Sequence, residues 1–425
     1  MKKKIKIVKK RKFEVKNILE KISFTEQELS EIKNRVENFK SRLERNLPRS
    51  EIFIGGSYSK GTMMKKNHVD IDIFVIFHEN EKISEKLKVI LKKMRINFSE
   101  VHGSRDYYQV REDKIIYEIV PIFKIEKASD AKNITDISPL HVKWLMGKLK
   151  KNLGKEIMLS KSFCYGTNCY GAESYISGFS GYALEVLIVY YGSFLNFLKK
   201  ASKWNTKKKI VIDPEKYYKN EKEILSKLNE SKIYGPLILI DPVQKERNVT
   251  AALSEETLMN FIENAKKFLK KPSEEFFYKK LINVEDLRKK GELYIIHAYS
   301  NKDKIDVVGA KLKKFFDFLI FHGEKEGFSV LKKDIEFDEN EKEATFYLVI
   351  KSLEEIIIKG PPVKIDAKFI NEFRKKWPNA YEEKGRLFAK ASRKFNTFED
   401  FLKVIKKNKA LKDMGISGFE LMKED

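Results

Sequence analysis

One short segment, DIDIFVIF at 70–77, constrains the fold of this chain more than any other. It is rich in β-branched and aromatic residues and is bounded by polar residues, so it predicts a β-strand. Side chains on a strand alternate between its two faces. Asp70 and Asp72 therefore share one face, whereas Ile71 and Ile73 share the other and can enter a core. The segment predicts a strand that presents two carboxylates close together.

Two carboxylates at this spacing repel each other unless a cation lies between them. All-oxygen ligand sets favour Mg²⁺, which is typically held by one or two carboxylates and by substrate phosphates. Two such ions can activate an attacking hydroxyl and stabilise the leaving group in nucleotidyl transfer. The D-x-D pattern is weak evidence by itself, because the alternative is a pair of exposed acids at a strand end.

The upstream segment GGSYSKGT (55–62) strengthens the metal interpretation. Its two glycines let the backbone approach a ligand closely. Ser57 offers a hydroxyl and a backbone N–H to phosphate, and Lys60 adds positive charge. The alternative is an ordinary glycine-rich turn. Followed by the acid pair after twelve more residues, however, the Gly56-Ser57 turn predicts a nucleotide-and-magnesium site.

The remaining pattern predicts an α+β multidomain chain. Further strands are expected at 51–56 and 114–123, and helices at 25–47 and 81–94, the first opening on a Thr25–Glu28 capping box. We predict a catalytic head with a mixed sheet over 1–137, a helical central domain over 138–268 and an α/β C-terminal RNA-binding region over 269–425. Within the last region, KGPPVKI (359–365) is interpreted as a linker.

The charge and the composition of the chain limit the classes of partner that it is expected to bind. The formal net charge of +24 favours a polyanion, with nucleic acid ahead of an anionic membrane. The alternative is a lysine-rich but merely solvated surface. The apolar stretch at 182–198 contains Glu185 and Asn196 and is shorter than the roughly 20 residues of a membrane span, so it predicts a core helix and no membrane partner. Cys164 and Cys169 are interpreted as reduced packing residues of a cytoplasmic protein.

The ordered G-S and D-x-D motifs resemble the nucleotidyltransferase superfamily of DNA polymerase β. That family carries a third carboxylate on a later strand, and KIIYEIVPIF (114–123) places Glu118 there. The family usually has Asp at this position, and Glu is one methylene longer. The resemblance implies that Asp70, Asp72 and Glu118 are the catalytic residues and the Mg²⁺ ligands. The alternative for Glu118 is a structural role on its strand.

Further motifs resemble the archaeal (class I) CCA-adding enzymes. They are SPLH at 138–141, KSFCYGTNCYGAESYISGFSGYALEVLIVYYGSF at 161–194, DPVQKERNVTAALS at 241–254 and GPPV at 360–363. The resemblance implies a set of nucleotide contacts made by Gly56, Ser57, Lys60, Ser138, His141, Lys161, Tyr170 and Arg247. Lys60 stands where the family has Arg, which keeps the charge and loses the bidentate fork.

Each of these residues also has a structural interpretation. Ser138 caps a helix that has Pro at its first position. His141 is a solvated residue of the first turn, and Lys161 is a surface lysine. Tyr170 is a core aromatic, and Arg247 pairs with Asp241 to hold a loop. The ordered set favours the nucleotide-binding interpretation.

RNA binding is predicted for the segment 381–395. Helical spacing places an apolar stripe on one face and Arg386, Lys390, Arg393 and Lys394 on the other, where they can contact RNA phosphates. The alternative is an ordinary solvated helix. The resemblance implies that the C-terminal half grips tRNA by shape. The basic arm at 2–12 is expected to be solvated or to face RNA.

The resemblance thus implies a template-independent enzyme that adds the terminal CCA of tRNA from CTP and ATP. The tRNA 3′-hydroxyl would attack the α-phosphate of the nucleotide and release pyrophosphate. Two alternatives stay open: another RNA-tailing or oligonucleotide synthetase of the same superfamily, and a non-catalytic tRNA-binding relative. A homodimer is the oligomeric state that we expect.

Overall fold

The computed structural model describes most of the chain in two compact units, 1–280 and 281–425. The described residues are 15–66, 68–78, 82–150, 152–279, 281–301, 304–338 and 341–422. The predicted basic arm at 2–12 lies outside them. The division of the chain into three domains stays a prediction.

The first unit begins with a five-stranded sheet and its helices. These elements are α1 (Val15–Ile22), α2 (Glu26–Asn46), β1 (Glu51–Ile54), α3 (Gly56–Ser59), β2 (Val69–Phe77), α4 (Ile83–Lys93), β3 (Ser99–Val101), β4 (Tyr107–Glu112) and β5 (Ile115–Phe123). The strand order is β1-β2-β5-β4-β3. β2 and β5 are parallel and the other neighbours are antiparallel, which confirms the predicted mixed sheet. The capping box of Thr25 and Glu28 at the start of α2 is also confirmed.

The two faces of this sheet differ in chemistry. On one face, the alternating residues of β2 and β5 pack against apolar stripes of α2 and α4. Phe39 of α2 stacks on Tyr117 of β5 with ring centroids 4.1 Å apart. The opposite face carries Asp70, Asp72 and Glu118, followed along the same strands by a small apolar cluster that includes Phe74. Burial of one face therefore fixes the carboxylates on the other.

The rest of the first unit is mostly helical. It contains α5 (Ser138–Lys148), α6 (Leu153–Gly166), α7 (Gly181–Tyr191), α8 (Phe194–Ala201), β6 (Ile210–Ile212), α9 (Glu221–Lys227), α10 (Glu230–Ile233), β7 (Leu237–Leu239) and α11 (Glu255–Lys270). Short 3₁₀ turns lie at Ala128–Asp130, Ile134–Ile137 and Glu274–Phe277. Fully buried Phe163 forms ring contacts with Phe194, Phe261 and Phe268 in the largest core. Cys164 and Cys169 are free and buried, as predicted.

The second unit combines antiparallel sheets with helices. Its elements are α12 (Val284–Arg288), β8 (Glu292–Ser300), α13 (Ile305–Lys325), β9 (Phe328–Asp338), β10 (Glu343–Ser352), β11 (Glu355–Pro362), α14 (Ala367–Lys376), β12 (Tyr381–Glu383), β13 (Arg386–Ser392), α15 (Phe398–Lys406), α16 (Ala410–Asp413) and β14 (Ile416–Leu421). One sheet has the order β14-β8-β10-β9 and the other β11-β13-β12. Aromatic residues of α13 and α15 fill the core beneath the larger sheet.

The predicted helix at 381–395 is wrong, because this segment is a β-hairpin. β12 and β13 pair through a turn whose residues Lys384 and Gly385 both have positive φ, as two-residue hairpin turns require. The predicted basic face is divided among local partners. Arg386 donates to the carbonyl of Gly360 at 2.6 Å, and Lys390 lies 3.0 Å from a carboxylate oxygen of Glu355.

The two other basic residues of that segment lie beyond β13. The guanidinium of Arg393 lies 5.2 Å from the centroid of Phe328, and the ammonium of Lys394 lies 5.3 Å from that of Phe395. The helical-face argument for RNA binding therefore fails. Contact of Arg386, Lys390, Arg393 and Lys394 with RNA stays a prediction.

Two other expectations from sequence are corrected. The predicted linker at 359–365 lies largely in the edge strand β11, where Lys359 pairs with Phe388; an edge strand tolerates the prolines that follow. The predicted single core helix at 182–198 is two helices, because Gly192 adopts φ 77° and ends α7. Among the described residues no single helix is long and apolar enough to cross a membrane, and α7 and α8 meet that test only as a pair bent by 93°.

Candidate active site

The three predicted carboxylates lie on adjacent parallel strands. Asp72 of β2 stands directly opposite Glu118 of β5, and Asp70 stands opposite Ile116. On the far side of Glu118, Gln109 of β4 is its register partner and donates from Nε2 to Oε1 at 2.8 Å. The parallel pairing of β2 with β5 therefore brings together acids that are 46 residues apart in the sequence.

The electrostatics of this acid group are those of a site that needs a cation. Burial, assisted by the nearby charge of Asp70, raises the pKa of Asp72 to about 6, although Lys60 opposes the shift. Burial and the charge of Asp72 raise the pKa of Glu118 to about 7, against the hydrogen bond from Gln109. Burial and the same carboxylates raise the pKa of Tyr107. A divalent cation would relieve this repulsion, and oxygen donors suit Mg²⁺.

Position 56 requires glycine, because its backbone lies directly against the acid group. Its φ is 62°, and a Cβ atom there would lie 1.7 Å from Oδ2 of Asp72. The preceding N–H, that of Gly55, donates to the backbone carbonyl of Asp72 at 2.9 Å. The glycine turn is therefore packed against the acid-bearing strand, and Ser57 follows it at the edge of the site. This close approach is the physical reason for glycine at position 56.

Behind the glycine turn, a buried carboxylate holds two of the predicted phosphate-binding lysines. Glu185 of α7 is 1% exposed and accepts from Nζ of Lys60 at 2.7 Å and from Nζ of Lys161 at 2.8 Å. Lys161 also donates to Oγ1 of Thr62 at 3.1 Å. The expectation of a surface position for Lys161 is wrong, since it is 3% exposed.

Sequence reasoning did not assign a role to Glu185. The available signal was one acid within an apolar stretch, which indicates a buried carboxylate with a specific partner. Burial by itself would raise the pKa of Glu185, but the two lysines hold it below its ordinary value. Desolvation lowers the pKa of Lys161 despite the Glu185 charge. The cluster carries two potential cations and one anion, so it keeps positive charge for a polyanionic ligand.

A second buried carboxylate, Asp241, organises His141, Arg247 and Tyr182. Nε2 of His141 lies 3.0 Å from Oδ2 of Asp241, and Arg247 donates to that oxygen at 2.6 Å. Tyr182 donates to Oδ1 at 3.1 Å and stacks on the imidazole with centroids 4.0 Å apart. The ion pair proposed as the alternative role of Arg247 is therefore present.

This arrangement sets the charges of the Asp241 cluster. Burial opposes ionisation of Asp241, but the hydrogen bond from His141, with the charge of Arg247, holds its pKa below the ordinary value. Burial lowers the pKa of His141. The ammonium of Lys60 lies 5.8 Å from the Tyr182 ring, so the Asp241 cluster adjoins the Glu185 cluster. His141 is largely buried and is not the solvated residue of the alternative interpretation.

Tyr170 and Ser138 complete the predicted set. A Cβ at Gly181 would lie 3.1 Å from the Tyr170 hydroxyl and 3.6 Å from Cε of Lys161, so these two side chains flank the start of α7. Burial, followed by the charge of Glu185, raises the pKa of Tyr170. Ser138 is the first residue of α5 and the N-cap position belongs to Ile137, so the predicted N-cap role of Ser138 is wrong. Contact of these residues with nucleotide stays a prediction.

Family models match three successive segments of the chain. They are the nucleotidyltransferase domain at residues 36–141, the second domain of tRNA nucleotidyltransferase at 155–278 and the C-terminal domain of CCA-adding enzyme at 291–417. The first of these contains all three carboxylates, and the second contains Lys161, Glu185 and Asp241. The matches agree in order with the elements described above.

Curated relatives match over most of the chain. A CCA-adding enzyme of Nanoarchaeum equitans is 36% identical over 82% of this chain and 86% of its own length. CCA-adding enzymes of Saccharolobus islandicus and Methanocaldococcus jannaschii are 30% and 29% identical over 93% and 92% of this chain, and over 92% and 90% of their own lengths.

Solved structures show the same fold. A Cid1 poly(U) polymerase bound to MgATP superposes with a TM-score of 0.50 at 14% identity, covering 62% of this chain and 97% of that chain. A second Cid1 structure gives a TM-score of 0.50 at 13% identity, covering 63% and 97%. This likeness confirms the polymerase β-like nucleotidyltransferase fold. The chain carries the three carboxylates on its sheet, and its relatives match over most of their own length. It therefore belongs to the CCA-adding enzyme family and is a nucleotidyltransferase.

Proposed function

We propose that this enzyme adds and repairs the 3′-terminal CCA of tRNA, using CTP and ATP without a nucleic-acid template. The observation that carries the proposal is the convergence of Asp70, Asp72 and Glu118 on one face of the sheet, packed against a glycine turn. The family membership supports tRNA as the acceptor. The net charge of +24 supports a polyanionic partner.

Mg²⁺ fits the acid group. The donors are carboxylate oxygens, and burial and mutual repulsion raise the pKa of both Asp72 and Glu118, which favours a bound cation. Asp70, Asp72 and Glu118 would hold the metal, and bound Mg²⁺ would supply Lewis-acid activation of the attacking hydroxyl and of the leaving group.

The surrounding residues would bind and orient the nucleotide. A triphosphate would lie at the Gly56-Ser57 turn, and Lys60 and Lys161 present positive charge behind that turn. Arg247 and His141 are fixed by Asp241, which leaves their remaining donors oriented for the base and its neighbouring phosphate. In the overall reaction the tRNA 3′-oxygen forms a bond to the α-phosphorus, and the bond to pyrophosphate breaks.

The test uses tRNA trimmed of its CCA end, incubated with the protein, CTP, ATP and Mg²⁺, followed by 3′-end sequencing. We expect C-C-A to be added in that order. A homopolymer tail would instead indicate an RNA-tailing enzyme of the same superfamily. No addition, together with nucleotide binding that does not depend on metal, would indicate a non-catalytic tRNA-binding relative.

A matched pair of variants connects the activity to the site. Asp72→Ala should abolish transfer while tRNA binding, measured by filter retention, stays close to that of the wild type. Asp113→Ala, at an exposed turn between β4 and β5, should leave both unchanged. Retained turnover in Asp72→Ala would remove Asp72 from the catalytic group.

Location and assembly belong to the same proposal. Two buried, unpaired cysteines support a reducing compartment such as the cytoplasm. The homodimer is testable by light scattering of the purified protein, where a mass near 50 kDa would exclude it, since the chain itself is 49.9 kDa.

A further inference from the structure

The position of Gln109 suggests a further role in the acid group. Gln109 and Glu118 are register partners on β4 and β5, so their side chains leave the same face of the sheet. The amide of Gln109 donates from Nε2 to Oε1 of Glu118 at 2.8 Å. Glu118 therefore has Gln109 on one side and Asp72 on the other.

The bond occupies only one carboxylate oxygen. Among the residues that the structure describes, Oε2 of Glu118 has no hydrogen-bond donor, so this oxygen is available to a metal. Glu185 differs, because both of its oxygens are occupied by lysine ammoniums. A neutral amide orients a carboxylate without cancelling its charge, whereas a lysine would compete with a cation. The choice of donor thus distinguishes a ligand from a buried ion-pair partner.

The length of the side chain matters as much as the donor. Glu has one more rotatable bond than Asp, and fixing it costs conformational entropy. An Asp at position 118 would withdraw its carboxylate by about 1.5 Å, one carbon–carbon bond, toward the backbone. The 2.8 Å bond from Gln109 would then be lost unless the strands moved.

We propose that Gln109 is a positioning residue that fixes the Glu118 carboxylate for metal binding, so that the site is built around the longer acid. The inference rests on the proposed function, because it requires Glu118 to be a metal ligand. It assigns to Gln109 a role in metal affinity and none in contacting the nucleotide. It also implies that Glu118→Asp is harmful here, although Asp is the usual residue of the superfamily.

The experiment measures Mn²⁺ affinity by electron paramagnetic resonance, on the full-length protein with a non-hydrolysable CTP analogue. Gln109→Met, which keeps the length of the side chain, and Gln109→Leu should each weaken Mn²⁺ binding roughly 10- to 100-fold, as loss of an outer-shell partner does. Ser99→Ala is the matched control, because Ser99 is the exposed register partner of Gln109 on β3. The control should bind Mn²⁺ as the wild type does.

A double mutant tests whether the two residues act as one unit. Glu118→Asp alone should weaken Mn²⁺ binding by a similar factor, and Gln109→Met combined with Glu118→Asp should be no weaker than the weaker single variant. Multiplicative losses would overturn the inference. Wild-type Mn²⁺ affinity in Gln109→Met would also overturn it.

Asp72→Ala in the same titration separates this inference from the proposed function. If Asp72→Ala abolishes binding and Gln109→Met does not change it, only the role of Gln109 fails. If Asp72→Ala binds Mn²⁺ normally, the proposed metal site itself fails, and the inference with it. A thermal midpoint of Gln109→Met within about 2 °C of the wild type is expected, since the residue packs no core; a collapsed fold would contradict a purely positioning role.

Discussion

Replacing Glu185 by Gln should destabilise the first unit and should make it sensitive to pyrophosphate. Glu185 is 1% exposed and is the anion between Lys60 and Lys161, of which Lys161 is 3% exposed. Gln keeps the shape of the side chain and removes its charge. Two ammonium groups would then face one neutral amide within a buried site. The perturbation therefore removes charge compensation and leaves the packing in place.

The expected loss is about 3–5 kcal/mol in the free energy of unfolding, the usual result when one partner of a buried ion pair is removed. Deprotonation of Lys161 limits the loss, because burial already lowers the pKa of that ammonium. In the variant the folded state would bind fewer protons than the unfolded chain between the lowered pKa and the ordinary lysine value. Because the unfolded chain binds more protons in that pH window, the free energy of unfolding of the variant should increase as pH rises through it.

The assay is urea unfolding of the full-length protein in EDTA, followed by tryptophan fluorescence in a Trp377→Phe background, so that Trp144 and Trp204 report the first unit. Pyrophosphate should raise the unfolding midpoint of Glu185→Gln more than that of the wild type, since the uncompensated lysines bind a polyanion. Glu51→Gln is the matched control: Glu51 and its partner Lys124 are both half-exposed and contact neither reporter tryptophan, and we expect a loss below about 1 kcal/mol. A loss below about 1 kcal/mol in Glu185→Gln, or equal pyrophosphate effects in both proteins, would refute the reasoning.

Three further changes test other parts of the first unit. In EDTA, Asp72→Asn should be about 2 kcal/mol more stable than the wild type at pH 8 and equal to it near pH 4. The reason is that the pKa of Asp72 is raised to about 6 in the folded protein, so the wild type loses stability as pH rises from about 4 to 6. A lower urea midpoint for Asp72→Asn at pH 8 would contradict this. Gly56→Ala should reduce transfer at least about 100-fold, whereas Gly61→Ala, which has the same φ and open space around it, should retain it; equal rates would refute the contact with Asp72. Thr25→Ala should cost about 1 kcal/mol in urea unfolding, because it removes the hydroxyl that accepts from the Glu28 N–H and keeps only the reciprocal bond from the backbone of residue 25; an unchanged midpoint would show that α2 does not need its cap.

Local rules were sufficient for much of the head. Alternation along 70–77 correctly placed Asp70 and Asp72 on one face and Ile71 and Ile73 in the core. The capping box at Thr25 also needed only short-range chemistry. These features depend on backbone geometry that repeats over a few residues, and so the sequence displays them directly.

Prediction from neighbouring residues failed where the sequence fits both a helical and a strand period. Phe388, Ala391 and Phe395 satisfy helical spacing, yet the buried residues are Leu387 and Ala389, which alternate along a hairpin strand. Pairing with β11 and β12 decides between the two patterns, and that pairing involves residues up to about 37 positions away. Tertiary context overrides propensity in such short segments.

The sequence by itself determined the acid pair, the glycine turn and the superfamily, because each depends on neighbouring residues with fixed chemistry. Only the tertiary structure decided which partners these groups have. Glu185 reaches back 125 positions to Lys60, Asp241 reaches 100 positions to His141, and Gln109 meets Glu118 through strand register. A buried charge must be compensated by whatever the fold places beside it, and chain order does not specify that neighbour.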